Sequence, residues 1–258
     1  MKHTAAGTPY FTEPHVASIA STALHMESMQ PFLESFDLGY EEYLEDFGQI
    51  GVDLDLLSKV AGQVCYLSFS PQRTWNSDAG KYLEHIKESG HGSVLEHASV
   101  SFLFWGITRS LTHELVRHRA GMSYSQVSQR FCGEKTLRFV ERTAIQKDPV
   151  LHEMFEQDID HLYRRYLQYQ RLVNEPTRKG VNQEARGVLP NWTETSIVVT
   201  GNLRAWRNFI EQRGAAGADP EIRQLAGKVL TELQVLAPHA FSDYTVEDGI
   251  ISTPYRKV

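Results

Sequence analysis

The run Ser99-Val100-Ser101-Phe102-Leu103-Phe104, followed by Thr108 to His118 and the basic stretch that ends at Arg130, decides how this chain of 258 residues folds. Val100, Phe102 and Phe104 alternate with Ser99, Ser101 and Leu103, and that period of two in β-favouring residues predicts a strand. Thr108 to His118 then reads as a short helix leading into the basic cluster. Upstream, Ala79, Tyr82, Leu83 and Ile86 share one face of a helix starting at Ser77. Gly90 is placed as its left-handed cap, ahead of the loop Gly90-His91-Gly92-Ser93. Downstream, Asp148-Pro149 supplies a cap and a first-turn proline for a long helix whose stripe Leu151, Phe155, Ile159, Leu162, Tyr166 and Leu167 belongs to a core. Ser196 to Thr200 predicts another strand. Leu203, Trp206 and Ile210 make one further helix face, and Ile222, Leu225, Val229 and Leu233 another, with Pro238 beyond it. Few strands among several long helices, without βαβ regularity, make a single α+β domain with a small, mostly antiparallel sheet.

The segment before this domain mixes small polar residues, prolines and the acidic group Glu41, Glu42, Glu45 and Asp46. It reads as an N-terminal extension over residues 1–50, with the domain proper at 51–258. A net charge of -6 makes any basic cluster a local device for anions and argues against a general nucleic-acid binder. The two cysteines, Cys65 and Cys132, fit neither a CxxC half-site nor a disulfide framework. No apolar leader or spanning run is present, so a cytoplasmic protein with no membrane partner is expected.

Arg117-His118-Arg119-Ala120-Gly121-Met122-Ser123-Tyr124-Ser125-Gln126-Val127-Ser128-Gln129-Arg130 packs guanidinium groups, hydroxyls and amides into one short segment. Guanidinium groups bind phosphate oxygens in pairs, while hydroxyls and amides fix a sugar or a base edge, so a phosphorylated polar small molecule is one reading. A solvated basic helix end, complementing the dipole, is the other. His113-Glu114 followed by His118 mimics a zinc-protease motif, but three residues separate Glu114 from His118. An i, i+5 pair lies roughly 140° apart on a helix, and no metal is expected.

Arg117-His118-Arg119 with Ser128-Gln129-Arg130 resembles the signature of flavin-dependent thymidylate synthases. The resemblance extends to Gly90-His91-Gly92-Ser93 with Glu96-His97, to Arg186-Gly187-Val188-Leu189-Pro190, and to Asn202-Leu203-Arg204 with Asn208 and Arg213. One departure is the spacer, eight residues from Ala120 to Val127 where the family usually has seven; the extra residue is placed near Ala120 to Ser123. The resemblance implies FAD held between subunits of a homotetramer by Ser93, Arg117, His118, Arg119, Gln126, Asn202, Arg204 and Asn208, with His91 beside the flavin ring. It implies dUMP held by Glu114, Arg117, Gln126, Ser128, Gln129, Arg130, Arg186 and Arg213. NADPH would reduce the flavin, and the methylene of 5,10-methylenetetrahydrofolate would become the methyl of dTMP.

Neither cysteine follows a proline, as the nucleophile of the other thymidylate synthase class does. Ser128 has no general base beside it in sequence, so it is expected to bind rather than attack. Arg213 is expected to activate uracil, because it precedes Gly214-Ala215-Ala216-Gly217, where no structural partner demands an arginine. A nucleotide-binding regulatory module would keep the arginine cluster without flavin, and an RNA-binding protein would use it as a basic patch.

Overall fold

Val100, Phe102 and Phe104 are fully buried in the computed structural model, which describes residues 1–37, 52–69, 78–256 and 258. The acidic group between 41 and 46, and the helix start at Ser77, lie outside the described residues. The strands are β1 Lys2–His3, β2 Pro9–Phe11, β3 His15–Ser21, β4 Ser99–Thr108, β5 Met122–Gln126, β6 Phe139–Val140, β7 Glu194–Asn202, β8 Thr245–Glu247 and β9 Ile250–Ser252. The main sheet has the order β3-β4-β7-β5, antiparallel throughout. Beside it lie a small sheet β1-β2-β6, in which β2 and β6 run parallel, and the hairpin β8-β9.

β4 is longer than the expected strand because Gly106 lets it continue through an irregularity in register between Phe104 and Ile107. Gly106 has φ +66, and a Cβ there would stand 2.8 Å from the Glu13 carbonyl. The buried face of β4 meets Trp206, whose ring stands edge-on to Phe102 and Phe104 at 5.1 and 6.2 Å between centroids. Trp206 also donates to the Val100 carbonyl at 3.2 Å. The helices Leu203–Arg213 and Pro220–Leu236 cover that face with Phe209, Ile210, Ile222, Leu225, Val229 and Leu233. Each such side chain contributes roughly 1.5–3 kcal/mol through burial, which makes this layer the foundation of the site.

The helix Ala79–Glu88 begins where Asp78 accepts from the Lys81 amide and ends at Gly90, φ +70, with the His91 amide on the Ile86 carbonyl at 3.0 Å. The expected helix from Thr108 to His118 is shorter: Thr108 caps Arg109–Leu115, and Val116 begins a turn. Arg117 and His118 therefore lie beyond the helix. The long helix Pro149–Leu172 starts at the Asp148 cap and buries Phe155, Ile159, Tyr166 and Gln170 against Tyr10, Leu137, Phe139 and Ala185. Leu151 departs from the expected stripe, lying exposed in the first turn.

Part of the N-terminal segment joins the sheet, since β3 pairs with β4 from His15 opposite Trp105 to Ser21 opposite Val100. Among the described residues no helix is long and apolar enough to cross a membrane.

Candidate functional site

The sheet and the two helices above it bring Glu114, His118 and Arg213 together from distant parts of the sequence. Arg213, at the last position of its helix, donates from Nη1 to Glu114 Oε2 at 2.7 Å, from Nη2 to the Glu114 carbonyl at 3.2 Å and from Nε to His118 Nε2 at 2.9 Å. The expectation that Arg213 lacks a structural partner is thus overturned. Its partners come from the last turn of the helix Arg109–Leu115 and the turn that follows it, which sequence spacing does not relate to residue 213. His118 packs edge-on against Phe209, and burial, with Arg213 beside it, holds its pKa down to about 4. Its Nε2 is consequently an unprotonated acceptor for the guanidinium. His113, by contrast, is exposed, so the two histidines face different surroundings.

β5 carries the second half of the basic segment along the edge of the sheet. Gln126, at its end, donates to Thr112 Oγ1 at 3.0 Å and to Thr195 Oγ1 at 3.2 Å, which ties the strand to the helix Arg109–Leu115 and to β7. The chain then turns through Ser128, Gln129 and Arg130. Gln129 Nε2 and Arg130 Nε are buried there without a hydrogen-bond partner among the described residues. Arg109 Nη1 shares that condition, and burial followed by the nearby charge of Arg186 lowers the Arg109 pKa. Buried donors left unmatched are costly, and two arginines close together favour an anion between them. Arg109 escaped the sequence reading. The available signal was a cation in the first turn of a helix, where the dipole disfavours positive charge.

Asn202, Arg204 and Asn208 line a cleft of about 310 Å³, together with Glu96, Ala120, Gly121, Arg256 and Val258. Asn202 is the cap of its helix, accepting from the Ala205 amide at 2.8 Å, so its carbonyl oxygen is committed and its amide nitrogen faces Gly121. Arg204 pairs with Glu96 at 2.5 Å, both partly exposed, so Glu96 belongs to this cleft. Asn208 accepts from Gln212 at 2.7 Å. A Cβ on Gly92 would come within 2.9 Å of Arg204 Nε, so glycine lets the His91–Ser93 segment sit against the cleft wall. His91, Ser93, Arg117 and Arg119 are exposed, facing outward rather than converging within one chain. The cleft carries two guanidinium groups and two amides beside the carboxylates of Glu96 and Glu211, and those donors can serve a flat ligand bearing phosphates.

Residues 52–239 match the family described as thymidylate synthase complementing protein. A flavin-dependent thymidylate synthase of Mycolicibacterium vanbaalenii is 46% identical over 199 residues, which cover 74% of this chain and 79% of that protein. The one from Mycobacterium tuberculosis is 45% identical over 205 residues, covering 75% of this chain and 82% of that protein. Among solved structures, the crystal structure of a UMP/dUMP methylase PolB from Streptomyces cacaoi bound with 5-Br dUMP aligns with a TM-score of 0.63. It covers 91% of this chain and 95% of that chain at 21% identity, a likeness of fold.

Proposed function

The chain belongs to the thymidylate synthase complementing protein family and is a flavin-dependent thymidylate synthase, and from that premise we propose how its residues divide the work. The reaction converts dUMP to dTMP, with methylenetetrahydrofolate giving the carbon and NADPH the reducing equivalents. Bound FAD supplies the redox chemistry. Arg204, Asn208 and the Asn202 amide nitrogen hold it in the cleft, with Ser93, His91, Arg117, His118, Arg119 and Gln126 completing the site, some of them from a neighbouring subunit. Residues 51–258 carry this machinery, His15–Ser21 of the N-terminal extension adds to its sheet edge, and a cytoplasmic homotetramer is the working form.

dUMP lies along the β5 edge. Its phosphate is held by Arg130, Gln129 and Arg186, joined by Arg109, while Ser128 and Gln126 fix the sugar and base. Glu114, with the His118 ring, aims Arg213 at a uracil carbonyl. A guanidinium keeps its charge at every working pH, so Arg213 stabilises the negative charge that develops on the ring without giving up a proton. The observation that carries the assignment is the triple bond-set of Arg213 to Glu114 and His118, which unites the signature with a residue far along the chain.

The absorption spectrum of the purified protein tests this reading. Oxidised-flavin bands, bleached by NADPH and restored by dUMP with methylenetetrahydrofolate as dTMP accumulates, are expected. A colourless protein that stays colourless after FAD is added, yet binds dUMP, would point to a regulatory nucleotide-binding module.

A further inference from the structure

The turn that presents Ser128, Gln129 and Arg130 is held from behind by buried amides. The Ser128 carbonyl accepts from the Phe131 and Cys132 amides at 3.1 and 2.9 Å, which closes the turn. The Arg130 carbonyl accepts from Asn182 Nδ2 at 3.2 Å. Asn182 Oδ1 accepts from Gln170 Nε2 at 2.7 Å, and that nitrogen also donates to the Tyr166 hydroxyl at 2.9 Å. Asn182 comes from the helix Arg178–Ala185, while Gln170 and Tyr166 come from the long helix, so two helices converge on one carbonyl. All three side chains are buried. Gly133 lies beside the arrangement: a Cβ there would stand 3.5 Å from both Asn182 Oδ1 and Gln170 Nε2, an ordinary contact distance.

Amides are poor core fillers compared with apolar side chains of similar volume. A buried amide relay ending on a single carbonyl therefore calls for a reason beyond packing. That reason lies in the turn itself, where Gln129 Nε2 and Arg130 Nε are buried without partners among the described residues. We propose that Asn182, braced by Gln170, is a positioning residue that fixes the Ser128–Arg130 turn to receive the anionic group of the nucleotide. The proposal rests on the reading of that turn as part of the dUMP site. Fixing the Arg130 peptide before the ligand arrives removes part of the ordering cost of binding, so the effect belongs in affinity rather than in the chemical step.

Asn182→Ala in the full-length holoenzyme tests it. Loss of one buried amide bond to the turn is expected to raise both the dUMP KM and the calorimetric dUMP Kd about tenfold. kcat at saturating dUMP should stay within about twofold, and NADPH should bleach the flavin at an unchanged rate. A purely structural role would instead lower kcat and flavin content together with KM unmoved, and that result overturns the proposal. So does a KM within about twofold of wild type in a folded variant. Should Asn182→Ala fail to fold, Gln170→Met decides by the same KM criterion, because it leaves Asn182 in place but unbraced; a rise of about threefold is expected. Wild-type enzyme that fails to bind dUMP would defeat the underlying site reading itself, an outcome separable from wild type that binds dUMP while both variants match it.

Discussion

Arg213 shows what single side chains contribute beyond their type. Arginine at that place in the sequence was legible as important, but the reason was not, because its partners Glu114 and His118 are brought to it only by the packing of the helix Leu203–Arg213 over the sheet. Removing a preorganised cation from a developing oxyanion costs on the order of a hundred- to a thousandfold in rate. Arg213→Ala should therefore remain yellow and be reduced by NADPH while dTMP formation falls by that factor, and Arg213→Lys should recover only part, lacking the planar fork. Near wild-type turnover of the alanine variant at saturating dUMP would remove the activating role. Arg109→Ala should weaken dUMP binding by about tenfold or more, through loss of a charge-assisted phosphate contact, and leave FAD affinity unchanged in a fluorescence titration. His118 gives a pH signature. Its folded pKa of about 4 lies below the ordinary value of about 6.5, so the unfolded chain binds the extra proton between those limits. The stability it contributes is complete above pH 6.5 and is lost as pH falls toward 4, on the order of 3 kcal/mol at most. Denaturant midpoints measured across that window should rise more steeply with pH for wild type than for His118→Gln; parallel curves would mean that His118 does not titrate in this way.

Elements were readable where their faces were strongly contrasted. The alternation in β4, the caps at Asp148 and Gly90, and the apolar faces of Leu203–Arg213 and Pro220–Leu236 all stand in the structure because burial of one face dominates each. β3 and β5 were not readable. Both are sheet edges made largely of small or polar residues with half-covered side chains, so hydrophobic patterning says little, and the charges around β5 drew attention to binding instead. The end of the helix Arg109–Leu115 was likewise hidden, because nothing in Val116-Arg117-His118 forbids another turn of helix. The Asn202 cap joins element to site and yields a test that separates its two duties. Asn202→Ala should cost about 1 kcal/mol of stability by removing the cap. Asn202→Ser keeps a capping oxygen but loses the amide nitrogen, so its melting temperature should stay near wild type while FAD affinity falls. Equal FAD affinity in the serine variant would leave Asn202 as a cap alone.

On the scale of the whole molecule, the expected flavin contacts His91, Ser93, Arg117 and Arg119 are exposed, and so are the apolar Val116, Val127 and Phe131 in and next to the basic segment, at 40%, 38% and 68%. Under the proposed flavin contacts, one chain would hold only half of the cofactor site, and a second copy would complete it. Sedimentation velocity should accordingly find a species of four times 29.4 kDa, and dilution that dissociates it should release flavin. A monomer that keeps its flavin would defeat the shared site. The pairing of β4 with β7 carries a further consequence. Ser99 lies opposite Asn202, so the central ladder of the sheet joins segments separated by the entire basic cluster and the long helix. During synthesis, β4 emerges from the ribosome after its partner β3 but long before its other partner, β7, exists. Until β7 and the helix Leu203–Arg213 with its Trp206 are made, Phe102 and Phe104 must be shielded by local collapse or by a chaperone, and slow translation over that stretch prolongs the interval in which nascent chains can associate wrongly.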